Sequence, residues 1–320
     1  MKLVISVSGG GALGVGPLQF MKRLEADLKK EYGDKVNLAN LSEAFAGSST
    51  GAIIAAGLCK GMTAEELFNV YKDNLKSIFK EKKGVLPPIA RANYVRYDNT
   101  NLKKMLYKYF PGKLDTFKKP IYIPTTFMNG KSVEKVWDRS DDWMDSAFAV
   151  LSSCSAPTYF DLLTLKVGDN ENVYCDAGLW ANDPIMILQA GLAKLIKKQK
   201  KYKNLFDDGY KILSFNTQMV HPYSAPSKKN AIGWLTYLLD EWIGRCGNSN
   251  YFEACANIGD ENVFRVAPEV GEKYKMDDLK VVDEVTEIWD NYYDNGTFEK
   301  NGKTYKVKSE LLKFVKSTIE

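Results

Sequence analysis

The segment Gly47-Ser48-Ser49-Thr50-Gly51 restricts the possible folds of this sequence more than any other part of it. An apolar run at residues 44–46 precedes it and a run of small and apolar residues at 52–59 follows it, which indicates a sharp turn from a buried strand into a helix. A nucleophilic serine on such a turn needs glycines two residues before and two residues after it. The pattern therefore makes Ser49 a candidate nucleophile supported by Gly47 and Gly51, and a structural turn without chemistry is the alternative.

Predicted strands and helices alternate along most of the chain. The short apolar segments that predict strands lie at residues 3–8, 44–46, 121–127, 133–137, 173–175, 212–215 and 263–266. Helices are predicted from Pro17, over 52–59, from Thr63, over 143–152, from Pro184 to about 200 and around an Asn301-Gly302 turn, with an irregular loop near 80–100. This alternation predicts an α/β fold with a mostly parallel sheet covered by helices on both faces. No repeat or linker divides the sequence, so we expect a single domain over residues 1–320.

The composition and charge pattern exclude several classes of protein. The net charge of +4 is too small for a typical nucleic-acid-binding protein, so we expect no nucleic-acid partner. No apolar run approaches the roughly 18–20 residues of a membrane span, and the N-terminal stretch lacks the cleavage site of a secretory signal. The five cysteines contain no CxxC pair, so neither a disulfide framework nor a zinc site is predicted. We therefore expect a cytoplasmic protein; if it acts on lipid, it would do so peripherally, at a membrane surface.

A second glycine-rich segment, Gly9-Gly10-Gly11-Ala12-Leu13-Gly14, follows the first predicted strand and has three interpretations. As G-x-G-x-x-G it would bind a dinucleotide, but that site expects an acidic residue at the end of the second strand, where this sequence has the serine turn. As an oxyanion loop, it would direct the N–H groups of Gly9, Gly10 and Gly11 at a substrate oxygen that becomes negative. A turn without a ligand is the third interpretation. The oxyanion loop fits the neighbouring serine best.

A serine nucleophile needs a base, and the choice lies between His221 and an aspartate. His221 is the only histidine in the sequence, and the order Ser49, Asp176, His221 is that of α/β-hydrolases. Those enzymes, however, carry the serine turn after several strands, so we interpret His221 as an ordinary surface residue. Asp176 follows the strand predicted at 173–175, and the carboxyl ends of strands are where open α/β sheets build their sites. Asp176 is therefore the favoured base.

Together these motifs resemble the patatin-like phospholipase family. The resemblance rests on the glycine loop, the G-x-S-x-G turn and an aspartate in a D-G-G/A turn, which is Asp176-Ala177-Gly178 here. Residues 155–160, 178–184 and 212–217 are also similar to family segments, so the matches are colinear over residues 1–220. This sequence departs from the family at three positions. Leu13 replaces the usual Arg or Lys, Ala177 replaces a glycine, and Asp183 replaces the second asparagine of A-N-N-P.

The resemblance implies a three-layer patatin-like α/β fold and a lipid acyl hydrolase of the phospholipase A or lysophospholipase type. Ser49 and Asp176 would form its catalytic dyad without histidine, metal or cofactor, and an acyl-enzyme would release fatty acid. The substrate would be a phospholipid or another lipid ester, and the sequence indicates no particular protein partner or activator. Residues after 220 match weakly and are expected to select substrate or regulate. A soluble carboxylesterase or thioesterase and a catalytically silent lipid-binding relative remain alternatives.

Overall fold

The computed structural model describes residues 1–82, 95–130, 133–222, 243–300 and 302–319, together with residues 230, 234 and 237. The irregular loop predicted near residues 80–100 therefore lies mostly outside the described residues, as does Asn301 of the predicted C-terminal turn. No helix among the described residues is both long enough and apolar enough to cross a membrane.

The strands form one large sheet and a separate hairpin. Their bounds are β1 (Lys2–Val7), β2 (Ser42–Gly47), β3 (Ile121–Phe127), β4 (Glu134–Trp137), β5 (Leu163–Val167), β6 (Asn170–Asp176), β7 (Tyr210–Phe215), β8 (Val263–Val266), β9 (Thr297–Lys300) and β10 (Lys303–Lys306). The large sheet has the order β5-β6-β3-β2-β1-β7-β8, with β4 also paired to β3. The pairs from β3 to β8 along this order are parallel, whereas β4, β5 and β6 pair antiparallel at the other edge.

Helices cover both faces of the large sheet. Their bounds are α1 (Val15–Tyr32), α2 (Leu38–Leu41), α3 (Thr50–Cys59), α4 (Ala64–Ile78), α5 (Thr100–Tyr109), α6 (Ser146–Cys154), α7 (Gly178–Ala181), α8 (Ile185–Lys198), α9 (Lys200–Leu205), α10 (Ile243–Ile258), α11 (Val282–Asn295) and α12 (Val307–Lys316). The predicted α/β fold with a mostly parallel central sheet and helices on both faces is confirmed.

Side chains of β1 show why the sheet needs helices on both sides. Leu3, Ile5 and Val7 are buried in a core that includes residues of α1, α3, α4, α6 and α11. Val4 points to the opposite face and is buried with residues of α8, α9 and α10. Successive side chains of a strand alternate between faces, so an uninterrupted apolar strand such as β1 is stable only between two helical layers.

Some predicted elements differ from the structure at their ends. Helix α1 begins at Val15, so Pro17 lies in its first turn, where a missing N–H leaves no hydrogen bond unmade. Strand β5 at the sheet edge was not predicted, although its residues alternate between apolar and polar as in a half-buried strand. Helices were predicted around the Asn301-Gly302 turn, and α11 and α12 lie before and after it. The antiparallel β9–β10 hairpin between these helices was not predicted.

The C-terminal helices pack on the same core as the N-terminal strand. Trp289 of α11 is fully buried, and its Nε1 lies so close to Gly16 of α1 that a Cβ added there would be 2.2 Å away. Phe20 of α1 makes an edge-to-face contact with Trp289, with ring centroids 6.0 Å apart. Arg23 of α1 extends this contact by an ion pair to Asp290. We infer from this packing that the described residues fold as one unit.

Replacing Trp289 by alanine tests that inference. Loss of a fully buried tryptophan is expected to lower the free energy of unfolding by about 3–5 kcal/mol. Phe252→Ala is the matched control, because Phe252 is 73% exposed on α10, and its loss is expected to change stability by less than about 0.5 kcal/mol. Urea unfolding followed by circular dichroism measures both. Two separate transitions in the parent protein would contradict a single folding unit.

Candidate active site

Ser49 occupies a strained turn between β2 and α3. Its backbone has φ 52° and ψ −125°, a region that residues with a side chain rarely adopt. A Cβ added to Gly47 would lie 2.0 Å from the carbonyl oxygen of Gly51, and one added to Gly51 would lie 2.1 Å from that of Val7. Neither position has room for any side chain. The turn thus holds Ser49 half-buried at the carboxyl edge of the parallel strands.

Asp176 reaches the same edge from the antiparallel side of the sheet. It is the last residue of β6, and its register partner on β3 is Thr125. The carboxylate is buried and accepts a hydrogen bond at 2.7 Å from the Gly178 N–H. Burial raises the pKa of Asp176 to about 6, although the Ser49 hydroxyl and the Gly178 N–H both act in the opposite direction. This carboxyl group is therefore poised to exchange a proton near neutral pH.

The glycine loop passes directly beside Ser49. A Cβ added to Gly9 would lie 3.0 Å from the Ser49 Cβ, and the Gly9 N–H donates to the carbonyl oxygen of Asn182 at 3.0 Å. The N–H groups of Gly10 and Gly11 have no acceptor among the described residues. Gly11 has φ 53°, which glycine adopts without strain. Of the three glycines, Gly10 and Gly11 thus have N–H groups without an acceptor in the described part of the chain, whereas the Gly9 N–H already has one.

Two side-chain hydroxyl groups hold the glycine loop at the carbonyl oxygen of Gly11. The Thr50 Oγ1 lies 2.9 Å and the Tyr71 hydroxyl 2.6 Å from the carbonyl oxygen of Gly11, and the two hydroxyl oxygens are also close to each other. Either both hydroxyls donate to this carbonyl, or one donates to it and accepts from the other. Burial raises the pKa of Tyr71, so its hydroxyl stays protonated and able to donate. Because Thr50 directly follows Ser49, the loop and the serine turn are held in a fixed relation.

A small cavity of 40 Å³ lies beside Ser49. It is lined mainly by apolar side chains, and its walls are formed by Gly11, Ser49, Thr50, Ile53, Tyr71, Ile78, Phe79, Leu102, Cys154, Ala156, Tyr159, Phe160 and Met276. Met276 comes from the part of the chain that matched the family weakly, and its carbonyl oxygen accepts the Ala12 N–H at 2.6 Å. Sequence reasoning missed this residue, because nothing in the pattern near residue 276 shows that it returns to the first loop.

The structure corrects the interpretation of His221. His221 is only 8% exposed, so its interpretation as a surface residue was wrong. It is not among the described residues that line the cavity.

The three departures from the family pattern occupy different surroundings. Leu13 is buried in the apolar core. Ala177 has φ −89°, which alanine tolerates as predicted. Asp183 is buried, accepts the Ile185 N–H at 3.1 Å and pairs with Arg265 at 3.2 Å, a structural role at the start of α8.

Comparison with known proteins identifies the family. A model of the patatin-like phospholipase family matches residues 5–188, more than half of the chain. The chain belongs to the patatin-like phospholipase family. The resemblance inferred from the glycine loop, the serine turn and the aspartate turn is thereby confirmed at the level of the family.

The individual relatives share low sequence identity with this chain. The chain is 24% identical over 220 residues to "Patatin-like phospholipase 1" of Plasmodium falciparum, with 61% of this chain and 32% of that protein covered. It is 25% identical over 244 residues to the "cGAMP-activated phospholipase" of Escherichia coli, covering 73% and 67%. It is 28% identical over 224 residues to "Patatin-like protein 2" of Oryza sativa subsp. indica, covering 63% and 55%. The chain thus spans about a third of the first relative and little more than half of the third.

The raised pKa of Asp176 predicts a pH-dependent stability. Between pH 3.8 and about 6 the carboxyl group ionises in the unfolded chain but stays protonated in the folded one, so the parent loses stability as pH rises. Asp176→Asn removes this loss. The variant should be more stable than the parent above pH 6, by on the order of 2–3 kcal/mol, and equally stable near pH 4. Urea unfolding at several pH values measures the difference.

Asp27→Asn is the control, because this substitution is expected to change stability in the opposite direction. Burial alone would raise the pKa of Asp27, but hydrogen bonds from Lys30, Lys308 and Tyr293 outweigh burial and hold this pKa below its usual range. The same substitution should therefore destabilise the protein at neutral pH. If both variants shift stability in the same direction, the carboxyl group of Asp176 does not carry an unfavourable buried charge.

Proposed function

We propose that this chain is a serine-dependent lipid acyl hydrolase of the phospholipase A or lysophospholipase type, with Ser49 as nucleophile and Asp176 as base. The observation that carries the proposal is the strained turn that places Ser49 beside the glycine loop, where its hydroxyl lowers the pKa of the buried Asp176 carboxyl group. Membership of the family supports the reaction class, and the names of the P. falciparum and E. coli relatives, both phospholipases, support a phospholipid substrate.

In the proposed first step, the Ser49 oxygen bonds to the ester carbonyl carbon while Asp176 accepts the hydroxyl proton. The carbonyl oxygen becomes negative and accepts hydrogen bonds from the N–H groups of Gly10 and Gly11, the two loop donors without a protein acceptor. The tetrahedral intermediate then expels the alcohol part of the lipid, which takes the proton from Asp176. The acyl group remains on Ser49 as an ester.

The second step returns the enzyme to its starting state. Asp176 accepts a proton from a water molecule, whose oxygen bonds to the acyl carbon and produces a second oxyanion in the same place. Collapse of this intermediate breaks the bond to Ser49, which regains a proton from Asp176, and a fatty acid leaves. A base with a pKa of about 6 suits both steps, because it is ionised at neutral pH yet still holds a proton briefly.

The cavity beside Ser49 supports an apolar acyl group as its ligand. Ile53, Leu102 and Phe160 are among its lining residues. We propose that the substrate is met at a membrane surface on the cytoplasmic side. Leu179, three residues beyond Asp176 and 62% exposed, is an apolar side chain available for contact with lipid there.

One observation favours a second candidate, a soluble carboxylesterase or thioesterase. The cavity volume of 40 Å³ is well below the roughly 150 Å³ of a cavity that binds benzene, so a long acyl chain requires the walls to move further than a short one does. The catalytically silent relative is motivated by Leu13, which leaves the loop without the family's positive charge.

Fatty-acid release from mixed phospholipid vesicles tests the proposal. The parent should release fatty acid and lysolipid, identified by mass spectrometry, and Ser49→Ala should abolish release because it removes the nucleophile. His221→Gln is the matched control and should retain activity within about twofold, since a lone aspartate is the proposed base. Loss of activity in the histidine variant would instead support a catalytic triad of Ser49, Asp176 and His221.

The same assay separates the two candidate substrates. A lipid hydrolase should cleave vesicle phospholipid at least as well as a short, water-soluble p-nitrophenyl ester. Much faster cleavage of the soluble ester would favour the carboxylesterase, and no cleavage of either would favour the silent relative.

A further inference from the structure

We propose that the last turn of α6 and the residue after it position both members of the dyad, with Ser153 and Cys154 as positioning residues for Ser49. This inference rests on the proposed function, because it assigns a role in the reaction of Ser49. Sequence reasoning gave these residues no role of their own.

Both polar groups of the Ser49 backbone are held by adjacent side chains of this helix. The Ser49 N–H donates to the Ser153 Oγ at 2.9 Å, and the Cys154 Sγ donates to the Ser49 carbonyl oxygen at 3.0 Å. That carbonyl also accepts the Ala52 N–H of α3 at 2.8 Å. Ser153 and Cys154 are both buried, so water does not compete for these hydrogen bonds.

The conformation of Ser49 explains why such support is needed. A backbone with positive φ at a non-glycine residue persists only when its surroundings over-determine it. Gly47 and Gly51 permit the turn by leaving space, but space alone does not select one conformation of the peptide. The two side chains of α6 do select it, because they fix the direction of the Ser49 N–H and C=O groups, and with them the direction of the side chain.

The same segment also holds Asp176. The Asp176 N–H donates to the carbonyl oxygen of Ser155 at 3.0 Å. Three consecutive residues therefore bind the nucleophile and the base, and they set the relative position of the two. Burial raises the pKa of Cys154, and the nearby Asp176 acts in the same direction, so the thiol stays protonated and remains a donor.

A neighbouring serine provides a matched control. The Ser152 Oγ accepts a hydrogen bond from the Trp137 Nε1 at 3.0 Å and donates one to the Ala149 carbonyl oxygen at 2.8 Å. Ser152 is fully buried, as Ser153 is, but its side chain has no hydrogen bond to Ser49 or Asp176 in the described part of the chain. Substituting alanine at 152 thus removes a buried hydroxyl from the same helix without removing a hydrogen bond to the dyad.

The kinetic test compares Ser153→Ala with Ser152→Ala on p-nitrophenyl butyrate. Ser153→Ala should lower kcat about tenfold with KM little changed, the effect of losing one buried hydrogen bond that matters in the transition state. Ser152→Ala should keep kcat within about twofold, even if it unfolds at a lower urea concentration. Equal losses of kcat in the two variants would overturn the proposal, because both would then reflect general damage to α6.

A second pair tests the thiol. Cys154→Ser keeps a donor of similar size and should retain kcat, whereas Cys154→Ala removes the donor and should lower kcat severalfold. A serine variant as impaired as the alanine variant would show that packing, rather than the hydrogen bond to Ser49, matters at this position.

Hydrogen–deuterium exchange separates this inference from the proposed function. The Ser49 amide should exchange slowly in the parent and in Ser152→Ala, and faster in Ser153→Ala, whether or not any ester is cleaved. If the parent cleaves no ester but shows this exchange pattern, the proposed function is wrong, whereas the proposed positioning of the Ser49 backbone by Ser153 is supported. If exchange at Ser49 is the same in both variants, the proposed positioning is refuted, even in an active enzyme.

Discussion

The close approach of the first turn of α3 to the end of β1 is the constraint on which the rest of this structure depends. Gly51 packs so tightly against the carbonyl oxygens of Val7 and Ser8 that no side chain fits between them. This contact places the N-terminus of α3 directly at the carboxyl edge of the sheet and forces the backbone of Ser49 to turn sharply. The glycine loop that follows Ser8 must then pass beside Ser49, and the N–H groups of Gly10 and Gly11 in this loop have no acceptor among the described residues.

Two buried aspartates near this edge show how surroundings separate structural from candidate catalytic roles. Asp183 is paired with Arg265 and accepts the Ile185 N–H, so its charge is compensated by a cation at the start of α8. Asp176 accepts a hydrogen bond from the Gly178 N–H, its pKa is lowered by the Ser49 hydroxyl, and no cation contributes to that pKa. A buried carboxylate in this state is costly to keep ionised, and that cost is what makes it basic enough to accept a proton.

Local patterns predicted the parts of the site that depend on local geometry. The serine turn, the glycine loop and the strand ending at Asp176 each follow from a few neighbouring residues, as does the alternation that predicts the α/β fold. The contacts of Met276, Ser153 and Cys154 could not be predicted, because they depend on which distant segments the tertiary fold brings together. The burial of His221 was missed for the same reason. The β9–β10 hairpin was missed because its short polar strands carry weak periodicity.

Labelling with a fluorophosphonate probe tests the central claim, the reactivity of Ser49, most directly. The probe reacts with an activated serine hydroxyl, and digestion followed by mass spectrometry locates the modified residue. We expect one modification, at Ser49, with a strongly reduced rate in Asp176→Asn because the base is lost. Modification of a different serine, or an intact Ser49 in the folded parent, would contradict a dyad of Ser49 and Asp176.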